Sequence, residues 1–187
     1  MNKIVLLLFL LNFTYAIDCF SSWHKENFDS KNNFYIISGS INKENNFKLF
    51  INNNQNNQKY KIEMFDKVVI GDKDKVSSYL ISKNQLIIEK TDSLFNDFIF
   101  SFLDLDKIKK KIKKKGPTKF LFKKISFGKA NIFLNDSCSN IDSLIYVKQK
   151  NKIIINEIDV SVVKDVKIDS LFNVDINEED VIKYDFR

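Results

Sequence analysis

The chain has few of the residues from which common catalytic and nucleotide-binding sites are built. Its 187 residues include one histidine, His24, and only four glycines. A single histidine gives little basis for imidazole chemistry or a zinc site, and no GxSxG nucleophile turn accompanies it. The glycine-rich nucleotide-binding motifs GxxxxGK[ST] and GxGxxG are also absent. We therefore expect no enzyme activity, no metal and no cofactor, and we place His24 at the surface.

Arginine is also scarce, which argues against a nucleic-acid partner. The formal charge is +6, yet arginine occurs only at Arg187, and Lys107–Lys115 alone contains seven lysines. The rest of the chain is therefore near neutral. Nucleic-acid surfaces spread basic residues over a face, and bidentate phosphate contacts favour arginine. We expect no nucleic-acid partner.

The one long apolar run lies at the N-terminus. Lys3 precedes Ile4–Leu11, and a short polar stretch then ends in the small-residue pattern Thr14-Tyr15-Ala16. This run is too short for a membrane anchor, which needs about 20 residues, and the pattern is typical of a cleaved secretory signal. The sequence predicts a signal peptide over 1–16 and one domain over 17–187, outside the cytoplasm. An uncleaved N-terminal anchor is the alternative.

Only two cysteines occur, Cys19 and Cys138. In an oxidising compartment they can pair and join the N-terminal segment to a late strand, and two free thiols are the alternative. They lack the CxxC spacing of a metal site. We treat the pair as a disulfide candidate.

What the chain does contain is two-residue alternation of apolar and polar residues. It recurs between Phe34 and Ile88 and again between Lys119 and Val163, interrupted by short polar turns. This alternation is typical of half-buried antiparallel strands. We predict a mainly β (α+β) fold with about nine to eleven strands in a curved antiparallel sheet, or open half-barrel, with one or two helices as a lid.

The last part of the chain contains the clearest hairpin pattern. Ile141–Val147 and Ile153–Val163 are its two strands, and Phe172–Ile176 is a candidate for the strand that ends the sheet. Strict alternation puts one group of apolar residues of the second strand on a shared face, namely Ile154, Ile158, Val160 and Val162.

The apolar period changes from two residues to three or four at Ser93. Phe95, Phe98, Ile99 and Phe102 follow helical spacing, and the stripe continues through the lysine run until Gly116-Pro117. This amphipathic segment has three interpretations: it packs on the sheet, it is a movable lid over an apolar cavity, or Lys107–Lys115 makes transient contact with an anionic membrane surface.

Two stretches of the chain resemble the LolA-type periplasmic lipoprotein carriers. In Lys67–Lys90, the family's turn, aromatic strand and return strand are matched by Gly71-Asp72, Tyr79 and Asn84-Gln85-Leu86. In Ile141–Ile182, its closing motifs are matched by Leu171-Phe172-Asn173-Val174 and Asp180-Val181-Ile182. The family's N-terminal helix looks short or absent, and its cavity arginine has no counterpart here.

The resemblance implies an open half-barrel with a helical lid, whose apolar interior shields lipoprotein acyl chains in the periplasm. It implies an acylated lipoprotein or other lipid cargo, donor and acceptor envelope proteins as partners, and a monomer. The residues that we expect in the cavity and lid are Phe47, Leu49, Ile62, Met64, Tyr79, Leu86, Phe95, Phe98, Ile99 and Phe102.

Two other functions compete with a lipid carrier. One is a non-catalytic secreted β-domain that binds an envelope component or a protein through its surface. The other is an enzyme that uses scattered carboxylates. A continuous apolar cavity under a helix would favour the carrier, whereas a fully packed sandwich would favour the surface-binding domain.

Overall fold

In a computed structural model, the described residues form twelve strands in one open sheet, with helices packed on one face. The residues described are 19–28, 34–54, 57–91, 99–100, 102–125, 128–148, 151–162, 171–173, 176 and 180–187. The predicted signal peptide lies outside them, as do Phe95 and Phe98.

The strands follow one another along the chain and pair mostly with their sequence neighbours. They are β1 Phe34–Ile41, β2 Asn45–Asn52, β3 Lys59–Met64, β4 Lys67–Gly71, β5 Lys75–Leu80, β6 Gln85–Lys90, β7 Ile112–Lys114, β8 Lys119–Ile125, β9 Gly128–Leu134, β10 Ile141–Lys148, β11 Asn151–Val162 and β12 Ile182–Asp185. The order across the sheet is β12-β6-β5-β4-β3-β2-β1-β11-β10-β9-β8-β7. Residues 19–27 form helix α1, and Leu105–Lys111 form helix α2.

The predicted fold class is confirmed: the chain is mainly β, in a single sheet that does not close. Twelve strands exceed the expected nine to eleven, because two short strands form the edges of the sheet. One is β7, which pairs with β8, and the other is β12, which runs parallel to β6. Every other strand pair of the sheet, including β7 with β8, is antiparallel.

The prediction of one helix running to Gly116 is wrong. Asp104 is extended and caps a new helix, α2, because its carboxylate accepts hydrogen bonds from the backbone N–H groups of Asp106 and Lys107, both at 3.1 Å. α2 ends at Lys111, and the chain becomes strand β7, in which Ile112 pairs with Phe122. Residues 112–115 of the lysine run are therefore not helical.

The predicted face of the last hairpin is wrong at its turn end. Ser38 pairs with Asp159, but Ser40 pairs with Asn156, so β11 contains one extra residue there. Glu157 has a φ of 55°, as expected at a β-bulge. Because the bulge reverses the alternation, Ile154 faces away from Ile158, and Ile153 and Ile155 take its place.

The strand expected at Phe172–Ile176 is not present in its described part, since residues 172 and 173 are not in a strand. The final strand is β12 instead, and Asn84 attaches it to the sheet. The backbone carbonyl of Asn84 accepts from the Ile182 N–H at 3.1 Å, and its side-chain amide donates to the Asp180 carbonyl at 2.8 Å. Asn84 has a φ of 48°, which asparagine tolerates better than most residues.

The predicted disulfide is confirmed. Cys19, in α1, is bonded to Cys138 in the turn before β10, with their Cα atoms 5.3 Å apart. The N-terminal helix is present, and its described part spans residues 19–27. The disulfide joins this helix to the half of the sheet formed by the later strands.

Glycine is required in β4 by close packing of an aromatic ring. Tyr60 in β3 pairs with Gly71, is 1% exposed, and lies across the glycine so that any Cβ at position 71 would overlap its ring. We expect Gly71→Ala to lower the free energy of unfolding by about 1 to 3 kcal/mol through overpacking.

Chemical denaturation tests this prediction, with Gly116→Ala as the matched control. A Cβ at Gly116 would meet the Lys119 Cβ at 3.5 Å, an ordinary van der Waals contact. We expect this control to change stability by about 0.5 kcal/mol or less. Equal denaturation midpoints for Gly71→Ala and the unmodified protein would contradict the packing role of Gly71.

Candidate functional site

The candidate site is the face of the sheet on which α1 and α2 pack, which we call the inner face. Cross-strand pairs share a face, so the register traces one row of residues across seven adjacent strands. From β1 to β12 this middle row is Ile37, Leu49, Ile62, Val69, Ser78, Ile87 and Tyr184. Six of these seven side chains are apolar or aromatic, so the row is a nearly continuous apolar strip.

Burial decreases from one side of this strip to the other. In the neighbouring row, Tyr35, Ile51 and Tyr60 are 2%, 1% and 1% exposed, and they belong to the core. The residues of the middle row on β1 to β4 are half-buried and pack against that core. The row on the far side is also half-buried; it contains Phe47, Met64, Lys67, Leu80 and Gln85. On β1 to β4 the inner face is thus closed by the core on one side and partly exposed on the other.

The closed side is covered by aromatic residues of α1. Phe20, Trp23 and His24 are spaced by three and four residues, so they share one side of the helix. The Phe20 ring lies 5.4 Å from that of Phe120 in β8, and the Phe28 ring just after the helix lies 5.3 Å from that of Tyr35 in β1. α1 therefore bridges strands from both halves of the sheet.

A second element, the covering segment of Ile99, Phe100, Phe102 and Leu103, packs against α1. Ile99 is buried, and the Phe102 ring lies 5.7 Å from Phe28 and 6.1 Å from Trp23. The ring Nε2 of His24 lies 2.7 Å from the backbone carbonyl oxygen of Phe102, which accepts its hydrogen bond. This bond joins the covering segment to α1.

His24 is 1% exposed, so the prediction that it lies at the surface is wrong. Burial lowers the pKa of its imidazole below 6.5, outweighing the opposing effects of the Phe102 carbonyl and of Asp104, while Lys109 lowers it further. Among the described residues, no group makes a hydrogen bond to its Nδ1. The ring is therefore neutral near pH 7 and acts as a donor to the covering segment.

We expect the free energy of unfolding to decrease as the pH drops below about 6.5, because His24 binds a proton more readily in the unfolded chain than in the folded protein. The contribution of His24 to the free energy of unfolding is therefore fully present above pH 6.5. It is lost as the pH falls from 6.5 towards the pKa of His24 in the folded protein. Between pH 6.5 and 5.5 the loss is at most about 1.4 kcal/mol. His24→Phe should remove this loss, which urea denaturation at both pH values measures. The same pH-dependent decrease in both proteins would contradict the assignment.

Eight of the ten expected cavity and lid residues are described, and they fall into three groups. Phe47, Leu49, Ile62 and Met64 share the inner face, and Ile99 and Phe102 belong to the covering segment. Tyr79 and Leu86 pair with each other on the opposite, outer face. The Tyr79 hydroxyl donates to Asn84 Oδ1 at 2.7 Å, so it supports the β5–β6 turn. The structural placement of Phe95 and Phe98 is outside the described residues.

The inner face also includes apolar residues that sequence reasoning missed. Ile37, Val69, Leu80 and Ile87 are all half-buried there. The sequence indicates their inward orientation only through the length of each turn. Turn length sets which residues of two neighbouring strands pair, and therefore which residues share a face. At the edge of the sheet, Ile182 and Tyr184 on β12 extend the same face and are 51% and 41% exposed.

This arrangement is suited to binding an apolar chain by contact alone. Within the described ranges, no three potential metal ligands lie together. None of the described helices has the length and apolarity needed to span a bilayer. The inner face offers branched aliphatic and aromatic side chains, with Lys67 and Gln85 in its more open row.

Comparison with known proteins adds support for the fold only. Neither a protein-family model nor a curated protein matches this chain. The backbone is similar to the crystal structure of an uncharacterized conserved protein from Thermus thermophilus, with a TM-score of 0.50 and 9% sequence identity, over 88% of this chain and 97% of that chain. At this identity the similarity extends to the architecture and not to a ligand.

Proposed function

We propose that this protein is a carrier that shields the acyl chains of lipoproteins or similar lipid cargo and passes them between envelope proteins outside the cytoplasm. The observation that carries the proposal is the middle row of the inner face. It is apolar over most of seven strands, and on β1 to β4 its residues are half-buried and pack against the core.

The dimensions and energetics of this surface suit a long acyl chain. Strands lie about 4.8 Å apart, so the row from β1 to β6 spans roughly 24 Å. Each methylene transferred from water to an apolar surface contributes about 0.8 kcal/mol. Such binding needs no covalent step, and transfer needs only an acceptor with a higher affinity.

The Cys19–Cys138 disulfide supports the proposed location. Disulfides persist in oxidising compartments and are rare in the cytosol, and a secretory signal over 1–16 would direct the chain to such a compartment. Periplasmic location and transfer toward an outer membrane come from the resemblance to LolA-type carriers and are part of the proposal.

A surface-binding role is the second candidate, and two exposed apolar side chains favour it. Phe65 is 92% exposed in the β3–β4 turn, and Ile81 is 46% exposed in the β5–β6 turn. The turns are adjacent because the Asp66 carboxylate accepts from the Ser82 N–H at 2.8 Å and from its hydroxyl at 2.7 Å. Loss of binding to a partner protein on replacing Phe65 and Ile81 with serine, with acyl binding unaffected, would identify this role.

The carrier proposal is tested by titrating the delipidated mature protein with a fluorescent fatty acid. We expect saturable binding that unlabelled palmitate displaces, and native mass spectrometry of the protein before delipidation should detect bound lipid. Absence of both saturable binding and copurified lipid would refute the proposal.

A further inference from the structure

The densest run of lysines in this protein lies at one edge of the sheet. Lys107–Lys115 contains seven lysines, and without them the formal charge of +6 becomes −1. The segment begins in α2 and continues through β7, which is the last strand of the sheet on that side. This run of lysines therefore gives the molecule a basic edge.

Four lysines of this edge are exposed and form no ion pair with a carboxylate of the described residues. Lys109 and Lys110 lie in the last turn of α2, Lys113 in β7, and Lys115 directly after it. Lys107, which is not one of these four, forms an ion pair with Asp104 at 3.3 Å. These four lysines, which we call the basic cluster, are available to external anions.

The apolar side of the same segment is directed into the protein. Ile108 is 0% exposed, and Leu103 before the helix is also buried. The large apolar side chains found exposed in the described residues all lie elsewhere, in Phe65, Ile81, Val147, Ile153, Ile182, Tyr184 and Phe186. The segment thus presents lysines but no exposed apolar side chains that could insert into a bilayer. It therefore does not match an amphipathic helix that lies within the membrane interface.

We propose that the basic cluster docks this protein on the surface of an anionic bilayer by charge alone. Each lysine close to such a surface strengthens binding about fivefold, and the attraction acts over roughly one Debye length, about 10 Å at 0.1 M salt. Because the cluster is at one edge, it also gives the docked molecule a preferred orientation. The role of this docking in cargo transfer rests on the carrier proposal, whereas the docking itself does not.

Vesicle flotation of the delipidated mature protein tests this proposal. We expect binding to vesicles of phosphatidylcholine mixed with phosphatidylglycerol, little binding to phosphatidylcholine alone, and release at high salt. Replacing Lys109, Lys110, Lys113 and Lys115 together with glutamine should weaken binding about 100-fold or more. The matched control replaces four exposed lysines elsewhere and makes the same charge change: Lys25, Lys75, Lys83 and Lys90.

The two variants separate a localised surface from net charge. Equal loss in both variants would overturn the proposal, as would equal binding to neutral vesicles or salt-resistant binding. Retention of binding in the basic-cluster variant would overturn it too. The fatty-acid titration on the same variant should be unchanged, which shows that the protein is folded. Vesicle docking without fatty-acid binding would refute the carrier proposal alone.

Discussion

Replacing Cys19 and Cys138 together with alanine lowers the free energy of unfolding by about 4 to 5 kcal/mol. The bond connects residues 119 positions apart, so without it the unfolded chain gains much conformational freedom. The native state also loses the covalent attachment of α1, which carries the aromatic cover of the inner face. Urea denaturation of the oxidised protein and the double variant measures the difference.

Reduction provides the internal control for this prediction. Dithiothreitol should bring the unmodified protein to the stability of the double variant and leave the double variant unchanged. The prediction is contradicted if the free energies of unfolding of the oxidised protein and the double variant differ by less than about 1 kcal/mol. The disulfide would then stabilise the protein much less than its loop length implies.

Val69→Asp weakens binding of the fluorescent fatty acid by about 100-fold. Val69 is half-buried in the middle row of the inner face, between Ile62 and Ser78. A carboxylate there must lose hydration against a bound acyl chain without an opposite charge, a penalty of several kcal/mol. The acyl chain then either loses contact with this strand or binds elsewhere with lower affinity.

The neighbouring residue in β4 supplies the matched control. Val68 is also half-buried but faces outward, paired with Glu63 and Tyr79. Because Val69 packs against the core and Val68 faces outward, Val69→Asp should destabilise the fold more than Val68→Asp does. Val68→Asp makes the same change in charge, and its effect on fatty-acid affinity should be less than about fivefold. Denaturation of both variants checks the first expectation. Equal losses of affinity would mean that the inner face is not the binding surface.

The strand pattern was predictable because alternation is a local property, whereas the inward-facing residues of later strands depend on register. Gly71 pairs with Val76, and Leu80 with Gln85. Counting from these pairs makes the inward residues of β5 even-numbered and those of β6 odd-numbered. Tyr79 in β5 is odd-numbered and Leu86 in β6 is even-numbered, so both face outward. A register shift of one residue would move them to the other face.

Local rules failed where tertiary contacts determine the conformation. The lysine run has helical spacing, but Asp104 starts a separate helix and pairing with Phe122 draws Ile112 into a strand. Glu157 gives no clear sequence signal for the bulge that reverses the face of β11. The prediction that His24 lies at the surface takes no account of Phe20 and Trp23, which form a helical stripe with His24 that indicates burial.

Site-specific photocrosslinking in cells that export the protein tests the carrier proposal most directly. A photoreactive phenylalanine analogue replaces one inner-face residue, Leu49 or Ile62, or one outer-face residue, Tyr79 or Leu86. We expect adducts with acylated lipoproteins or other lipids from the inner positions and none from the outer ones. Adducts of equal yield from both faces, or no lipid-bearing adduct from Leu49 and Ile62, would contradict the account.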